Sequence, residues 1–304
     1  MNDMSSPELA HLLHRALEPR LARLLAFTSR ENWSEDPEAL HQARIASRRV
    51  RTVLDLVDPA HYVDFRRHTK RLRQLTHALG ETRELDVHLA ILERMKEDDP
   101  NPVHETVIEF VQEHIDRKDR KTRSGLEDDL KHLSIAELSG LIDDAILPAA
   151  SNAFPAREAL EKLDPLLRPV EDGLGAHLER EDASALHAFR IHLKCLRYAL
   201  ELFEDGFPIP LADGLARLKE MQTALGDHHD FSTLEALLWK LRDNLAQRRR
   251  PMLAIGVLDL IGITAEARRA DYDRFRKLGQ QLSMDGCFQP IREALASAIQ
   301  DEQP

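Results

Sequence analysis

Apolar residues recur along this chain every three or four positions, which is the spacing of one face of an α-helix. No segment alternates apolar and polar positions with β-branched residues as a strand does, so we predict no sheet. In the first half we expect helices at about 7–31, 36–57, 60–79, 83–97, 102–124 and 134–147. In the second half we expect them at about 155–180, 182–204, 210–225, 228–246, 251–278 and 287–300.

Local signals predict where several of these helices begin and end. Asp36 followed by Pro37 is typical of a helix start, because Asp caps free backbone N–H groups and Pro suits the first turn. Gly80 is expected to end the helix that precedes it. Short connections between long amphipathic helices favour antiparallel neighbours. The predicted fold class is therefore all-α, built as helical bundles.

A similar sequence pattern occurs twice in the chain. Leu17-Glu18-Pro19-x-Leu21 matches Leu163-Asp164-Pro165-x-Leu167, and residues 17–92 align with 163–238 at a constant offset of 146 without a gap. Such self-similarity is typical of an internal repeat. We predict two pseudo-symmetric antiparallel bundles from this duplication, residues 1–150 and 151–304, with a linker near 148–155.

Each unit carries a basic ladder in the same register. The two ladders read His41-x-x-Arg44-x-x-x-Arg48-x-x-Arg51 and His187-x-x-Arg190-x-x-x-Lys194-x-x-Arg197. On a helix, the four positions of a ladder share an arc of about 80°. A solvated helix face usually mixes both signs of charge, whereas the first ladder contains no carboxylate. Two such ladders in register favour a surface that binds a polyanion.

A second basic stripe follows one helix further on. Arg66, Lys70, Arg73 and His77 have the spacing of one helical face, and Arg83 could extend it. The matching slots of the second unit hold Ala212, Ala216, Lys219 and Thr223. The first unit is therefore expected to be the more electropositive.

Bulk charge does not oppose this prediction. The 304 residues carry a formal net charge of −11, yet the segment 41–73 holds nine Lys or Arg and three Asp. The local field decides where an anion binds. The two cysteines, the lack of an export signal at the N-terminus and the shortness of the apolar stretch 252–263 predict a cytoplasmic protein with no membrane partner.

The residue types indicate phosphate. Guanidinium groups bind phosphate oxygens in pairs, lysine adds a mobile point charge, and histidine adds a donor. Binding of single-stranded nucleic acid usually needs aromatic rings that stack on bases. Aromatic residues are only 5% of the chain, and none lies in either ladder. We therefore predict a ligand made of phosphates without bases, with nucleic acid disfavoured and with phosphate or sulfate able to occupy the site.

These motifs resemble the signature of the CHAD family, the conserved histidine α-helical domain. The ladders carry the resemblance together with Leu79-Gly80-x-x-Arg83-Glu84-x-Asp86-Val87 and Leu225-Gly226-x-x-His229-Asp230. The resemblance implies paired bundles around a basic central cavity or groove, binding of inorganic polyphosphate, and association with polyphosphate granules. In this chain Cys195 takes the place that matches Arg49, and Glu84 stands where the family more often has Asp.

The candidate polyphosphate-binding residues follow from the ladders, the second stripe and the resemblance. They are His41, Arg44, Arg48, Arg49, Arg51, Arg66, Lys70, Arg73, Arg83, His187, Arg190, Lys194, Arg197, Lys219 and His229. No catalytic residue, metal ligand or cofactor is predicted, and no Glu-x-Glu-x-Lys motif of an attached triphosphate-processing domain is present. We expect a stand-alone, non-enzymatic binding module.

Three other functions remain open at this point. His228-His229-Asp230 could belong to a metal-dependent phosphohydrolase if further ligands converge with an open position for water. The ladders could bind the backbone of RNA, because electrostatic attraction and counterion release are common to all polyphosphates. A pure interaction scaffold with solvated ladders is the third.

Overall fold

The computed structural model describes residues 17–27, 36–57, 63–99, 101–131, 163–203, 212–284, 288–289 and 291–293. Its helices are α1 (17–27), α2 (Pro37–Val57), α3 (Val63–Asp98), α4 (Pro102–Lys131), α5 (Asp164–Glu179), α6 (Ala183–Phe203), α7 (Ala212–Gln247) and α8 (Pro251–Met284). These ranges contain no strand, which confirms the all-α prediction. The predicted helix at 134–147 and the predicted linker at 148–155 lie outside the described residues.

The helices that carry the ladders start in the same way. In α2, Oδ1 of Asp36 accepts a hydrogen bond from the backbone N–H of Glu38 at 2.9 Å, and Pro37 is the first helical residue. In α6, Oδ1 of Asp182 accepts from the backbone N–H groups of Ser184 and Ala185, both at 3.0 Å. An aspartate thus satisfies free donors at both helix starts. The predicted start at Asp36-Pro37 is confirmed.

Two predicted helix breaks are wrong. Residues 60–79 and 83–97 were expected to be separate helices, but α3 runs through Gly80 for 36 residues. In the same way α7 runs through Gly226 for 36 residues, where helices 210–225 and 228–246 were expected. A lone glycine inside a helix costs only about 1 kcal/mol, and packing on both sides of it outweighs that cost.

Packing on both sides is visible in the two hydrophobic cores. The first core joins α1, α2, α5, α6, the N-terminal parts of α3 and α7, and the C-terminal part of α8. The second core joins α4, the C-terminal parts of α3 and α7, and the N-terminal part of α8. In α3, Leu75 and Leu79 belong to the first core and Leu85 and Leu92 to the second. The long helices α3 and α7 therefore connect the two cores.

Each core contains residues from both sides of residue 150. The division of the chain at that residue stays a prediction, as does the internal duplication. The helices α2 and α6 do begin and end 146 residues apart, at 37 and 183 and at 57 and 203. They also pack against each other, which brings the two ladders together. Among the described helices, none is long and apolar enough to cross a bilayer.

Candidate anion-binding site

Four cationic side chains converge where α2 and α6 meet. Arg44 and Arg48 belong to α2, and Arg190 and Lys194 belong to α6; together we call them the four-cation cluster. Arg190 and Lys194 are each only 8% exposed, while Arg44 and Arg48 are half-buried. Cations are seldom buried to this degree without a partner of opposite charge. The cluster thus combines the centres of both predicted ladders.

The pKa values reflect this crowding. Burial, followed by the charges of Arg190, Arg48 and Arg44, lowers the pKa of Lys194 to about 5. Burial, followed by the charges of Arg48 and Arg190, lowers the pKa of Arg44 to about 10. Burial also lowers the pKa of Arg190, with Asp230 opposing and Arg48 adding to the effect. The charge of Arg48 thus destabilises the charged forms of Arg44, Arg190 and Lys194, as like charges do in a poorly solvated place.

Asp230 on α7 is the carboxylate that acts on Arg44, Arg190 and Lys194 together, and it favours the charged form of each. Burial raises the pKa of Asp230, while the charges of Arg190, Lys194 and Arg44 lower it. One shared carboxylate balances only part of the charge of the three cations on which it acts. The prediction did not include Asp230, although its place after His229 in the motif was visible.

Two guanidinium groups in the cluster hold buried donors without an acceptor. Nε of Arg44 and Nε of Arg190 are buried and make no hydrogen bond within the described part of the chain. A Cβ added to Gly226 would lie 3.9 Å from Nε and Nη2 of Arg190, so this guanidinium lies against bare helix surface. Buried donors usually pair with a protein group or an ordered water, so donors without such a partner call for a water or an ion. The donors are therefore available to an anion.

Histidines flank the cluster differently in the two halves. In the second half, Nδ1 of His187 lies 3.1 Å from Nδ1 of His229, with ring centroids 4.2 Å apart. Burial, followed by the charges of Arg190, His187 and Lys194, lowers the pKa of His229 to about 3. In the first half, burial and then the charge of Arg83 lower the pKa of His41. His41 and His187 thus each lie beside a residue of the next helix along the chain, which is Arg83 of α3 for His41 and His229 of α7 for His187.

Arg49 and Arg197 are engaged elsewhere. Nη2 of Arg49 lies 3.5 Å from Oε2 of Glu201, and Nη1 of Arg197 forms an ion pair with Oε1 of the same carboxylate. Nε of Arg197 also donates to Oε1 of Gln222 at 2.8 Å, and its guanidinium lies over the ring of Tyr198. These contacts tie α2 to α6 and α6 to α7. Only the i,i+4 spacing of Arg197 and Glu201 signals them in the sequence.

The remaining predicted residues lie in more open surroundings. Arg51 and Arg83 are half-buried, and Lys70, Arg73 and Lys219 are exposed. The side chain of Arg66 is outside the described part of the structure. The assignment of all these residues to the binding site stays a prediction, as does the central cavity or groove.

The two histidines of the possible metal motif, His228 and His229, contact different residues. Nε2 of His228 lies 3.0 Å from Oε1 of Glu181, and Arg268 forms an ion pair with the same carboxylate. His229 instead contacts His187. Within the described ranges, no three or more His, Cys, Asp and Glu side chains converge as metal ligands would. The two neighbouring histidines thus serve different contacts.

Comparison with known proteins identifies the class. The model of the CHAD domain matches residues 15–239, so the chain belongs to the CHAD family. The CHAD domain from the plant Ricinus communis is 23% identical, with 90% of each chain covered and a TM-score of 0.61. PptA from Streptomyces chartreusis is 20% identical, with 89% of this chain and 99% of that chain covered and a TM-score of 0.57. These likenesses show a shared fold. No curated protein matches the chain significantly.

Proposed function

We propose that this protein binds inorganic polyphosphate at the four-cation cluster. The observation that carries the proposal is that two buried cations of one ladder lie against two half-buried cations of the other, and that buried N–H donors among them lack an acceptor within the described residues. Burying like charges is costly unless an anion neutralises them. A polyanion supplies that neutralisation at several points at once.

The chemistry of the cluster favours phosphate among anions. Arg44, Arg48 and Arg190 offer forked donors that match pairs of phosphate oxygens, and Lys194 offers a compact point charge. A linear chain of phosphates can follow the cluster from α2 to α6 and contact both ladders. Tyr198, an aromatic residue close enough to act electrostatically on Arg44 and Arg190, is only 8% exposed and lies under the guanidinium of Arg197. That arrangement favours a chain without bases over RNA.

The proposed activity is binding without hydrolysis and without a cofactor. The contacts of His228 with Glu181 and of His229 with His187 support this part of the proposal, because they occupy the residues of the candidate metal motif. Incubation with polyphosphate and Mg²⁺ should release no orthophosphate above a protein-free blank. Steady release that depends on the protein would support the phosphohydrolase instead.

The decisive experiment removes the cluster's charge and compares it with an equal loss elsewhere. The test variant is R44Q/R48Q/R190Q/K194Q. The control is K121Q/R180Q/K240Q/R269Q, which removes four positive charges from exposed side chains. Titration with long-chain polyphosphate should show a loss of at least about 100-fold in affinity for the test variant, since each charge-assisted hydrogen bond contributes roughly 1.5–3 kcal/mol. The control should lose no more than about fivefold.

Equal losses in the two variants would overturn the proposal, provided that circular dichroism shows both to be helical. A competition assay addresses RNA: polyphosphate should displace a labelled RNA, and RNA should fail to displace polyphosphate. In cells, we propose that the protein lies in the cytoplasm at polyphosphate granules. A fluorescent fusion of the test variant should then spread away from granules that the parent protein marks.

A further inference from the structure

The two halves differ in which of their cations can lose a proton. Where the first ladder has Arg48, the second has Lys194, and where the first half has Arg83 beside His41, the second has His229 beside His187. A guanidinium stays charged at any physiological pH, whereas an amine or an imidazole can be neutral. The second half therefore holds titratable groups at two slots where the first holds permanent charges.

The surroundings of Lys194 make the neutral amine the resting form. Lys194 is 8% exposed and faces charges from three helices, with a single carboxylate among the charges that act on it most. These groups are Arg190 on its own helix, Arg44 and Arg48 on α2, and Asp230 on α7. Because burial and the three arginines lower its pKa to about 5, the amine is neutral at pH 7 in the absence of a ligand.

The contact between His187 and His229 limits how many protons the pair can hold. At 3.1 Å, one Nδ1 must donate its hydrogen and the other must accept it. Two imidazolium rings would point two N–H groups at each other, so the pair can gain at most one proton while the contact lasts. The permanent charges that face the pair are those of Arg190 and Arg48, and Lys194 and His228 add to them only when protonated.

We infer that polyphosphate enters the four-cation cluster together with protons, which Lys194 and the His187–His229 pair take up from solvent. The inference rests on the proposed function and assigns a regulation to the same site. Each proton adds to a nitrogen lone pair, and no bond of the polyphosphate breaks. A phosphate beside Lys194 replaces repulsion between cations by attraction to an anion, and this favours the protonated amine.

The sign of the pH effect follows from linkage. The loaded site holds more protons than the empty site, so a fall in pH favours the loaded state. For each proton taken up, the affinity should rise about tenfold per pH unit of acidification. Between pH 8 and 6 the titratable groups of the second half would thus make the affinity for polyphosphate depend on pH, while the arginines of the first half stay charged.

The test is calorimetric titration with long-chain polyphosphate at pH 7.5, in two phosphate-free buffers with different ionisation enthalpies. Long chains keep the number of end phosphates small, because end groups also titrate near neutral pH. The difference in heat gives the number of protons taken up. We expect about one to two per bound site for the parent protein. K194R should bind polyphosphate but take up about one proton fewer.

H187N/H229N provides a second variant in case K194R fails to fold, and it should remove the proton taken up by the histidine pair while leaving the one taken up by Lys194. K240R, which makes the same chemical change at an exposed lysine, is the control and should leave the uptake unchanged. Tight binding by the parent without proton uptake would overturn the inference, as would an unchanged uptake in both K194R and H187N/H229N. Absence of binding at every pH would instead overturn the proposed function, and this inference with it.

Discussion

The helices α2 and α6 carry the same ladder and have the same length of 21 residues, yet their cations lie in different surroundings. Arg190 and Lys194 on α6 are buried, whereas Arg44 and Arg48 on α2 are half-buried. The more deeply buried cations thus belong to the second half of the chain, whose second basic stripe contains fewer cations than that of the first half. A motif repeated in sequence has here produced one shared cluster with two unlike sides.

Removing the cations of one helix at a time tests most directly whether α2 and α6 form one binding site. We expect R44A/R48A and R190A/K194A each to lower the affinity for polyphosphate by at least about 100-fold, because each removes two of the four charge-assisted contacts. Fluorescence titration of the folded variants checks this. If each double variant kept half the binding capacity at the parent affinity, the two ladders would be separate sites.

Salt should weaken binding, and the steepness of the decrease in affinity should reflect the number of phosphates that the protein neutralises. With four phosphates neutralised, the logarithm of the affinity should fall with the logarithm of salt concentration with a slope of about −3, by analogy with single-stranded nucleic acids. Affinities measured between 50 and 200 mM salt would then differ by about 60-fold. Each double variant should halve the slope, and a slope that stays the same would show that the lost cations do not contact phosphate.

Glu201 should prove more important for stability than for binding. It pairs with Arg49 on α2 and with Arg197 on α6, so E201A leaves two partly buried guanidinium groups without this carboxylate. We expect the free energy of unfolding to fall by roughly 1–3 kcal/mol, measured by urea denaturation. The affinity of the folded protein should change less than about threefold. An increase of tenfold or more would indicate that Glu201 keeps Arg49 and Arg197 away from the ligand.

The exposed cations should contribute least. K70Q/R73Q/K219Q removes three predicted binding residues whose side chains are exposed. We expect a loss of a few-fold at low salt that disappears at physiological salt, where exposed charges are largely screened. A loss that persists in high salt would extend the binding site along α3 and α7.

Local features of the sequence predicted the ladder helices well. The aspartate and proline before α2 act within one turn, and helical periodicity brings His41, Arg44 and Arg48 to one face, so neither depends on the rest of the fold. The helix breaks predicted at Gly80 and Gly226 were wrong. A glycine inside a helix costs only about 1 kcal/mol, which is small beside the free energy gained when α3 and α7 pack on two cores.

The sequence alone could not show which of the predicted cations join the four-cation cluster and which lie outside it. Arg48 and Arg49 are neighbours in sequence, yet one joins the four-cation cluster and the other reaches Glu201. That choice depends on where α6 lies, which is a long-range property. Asp230 was missed for the same reason, since its effect on Arg44 depends on how α7 packs against α6 and how α6 packs against α2.

The most direct test of the shared site is a crystal structure of the protein with a short linear polyphosphate such as tripolyphosphate. We predict a single chain between α2 and α6, with phosphate oxygens within hydrogen-bonding distance of both Arg44 and Arg190. One chain on each half, or a chain bound only along Lys70 and Arg73, would contradict it.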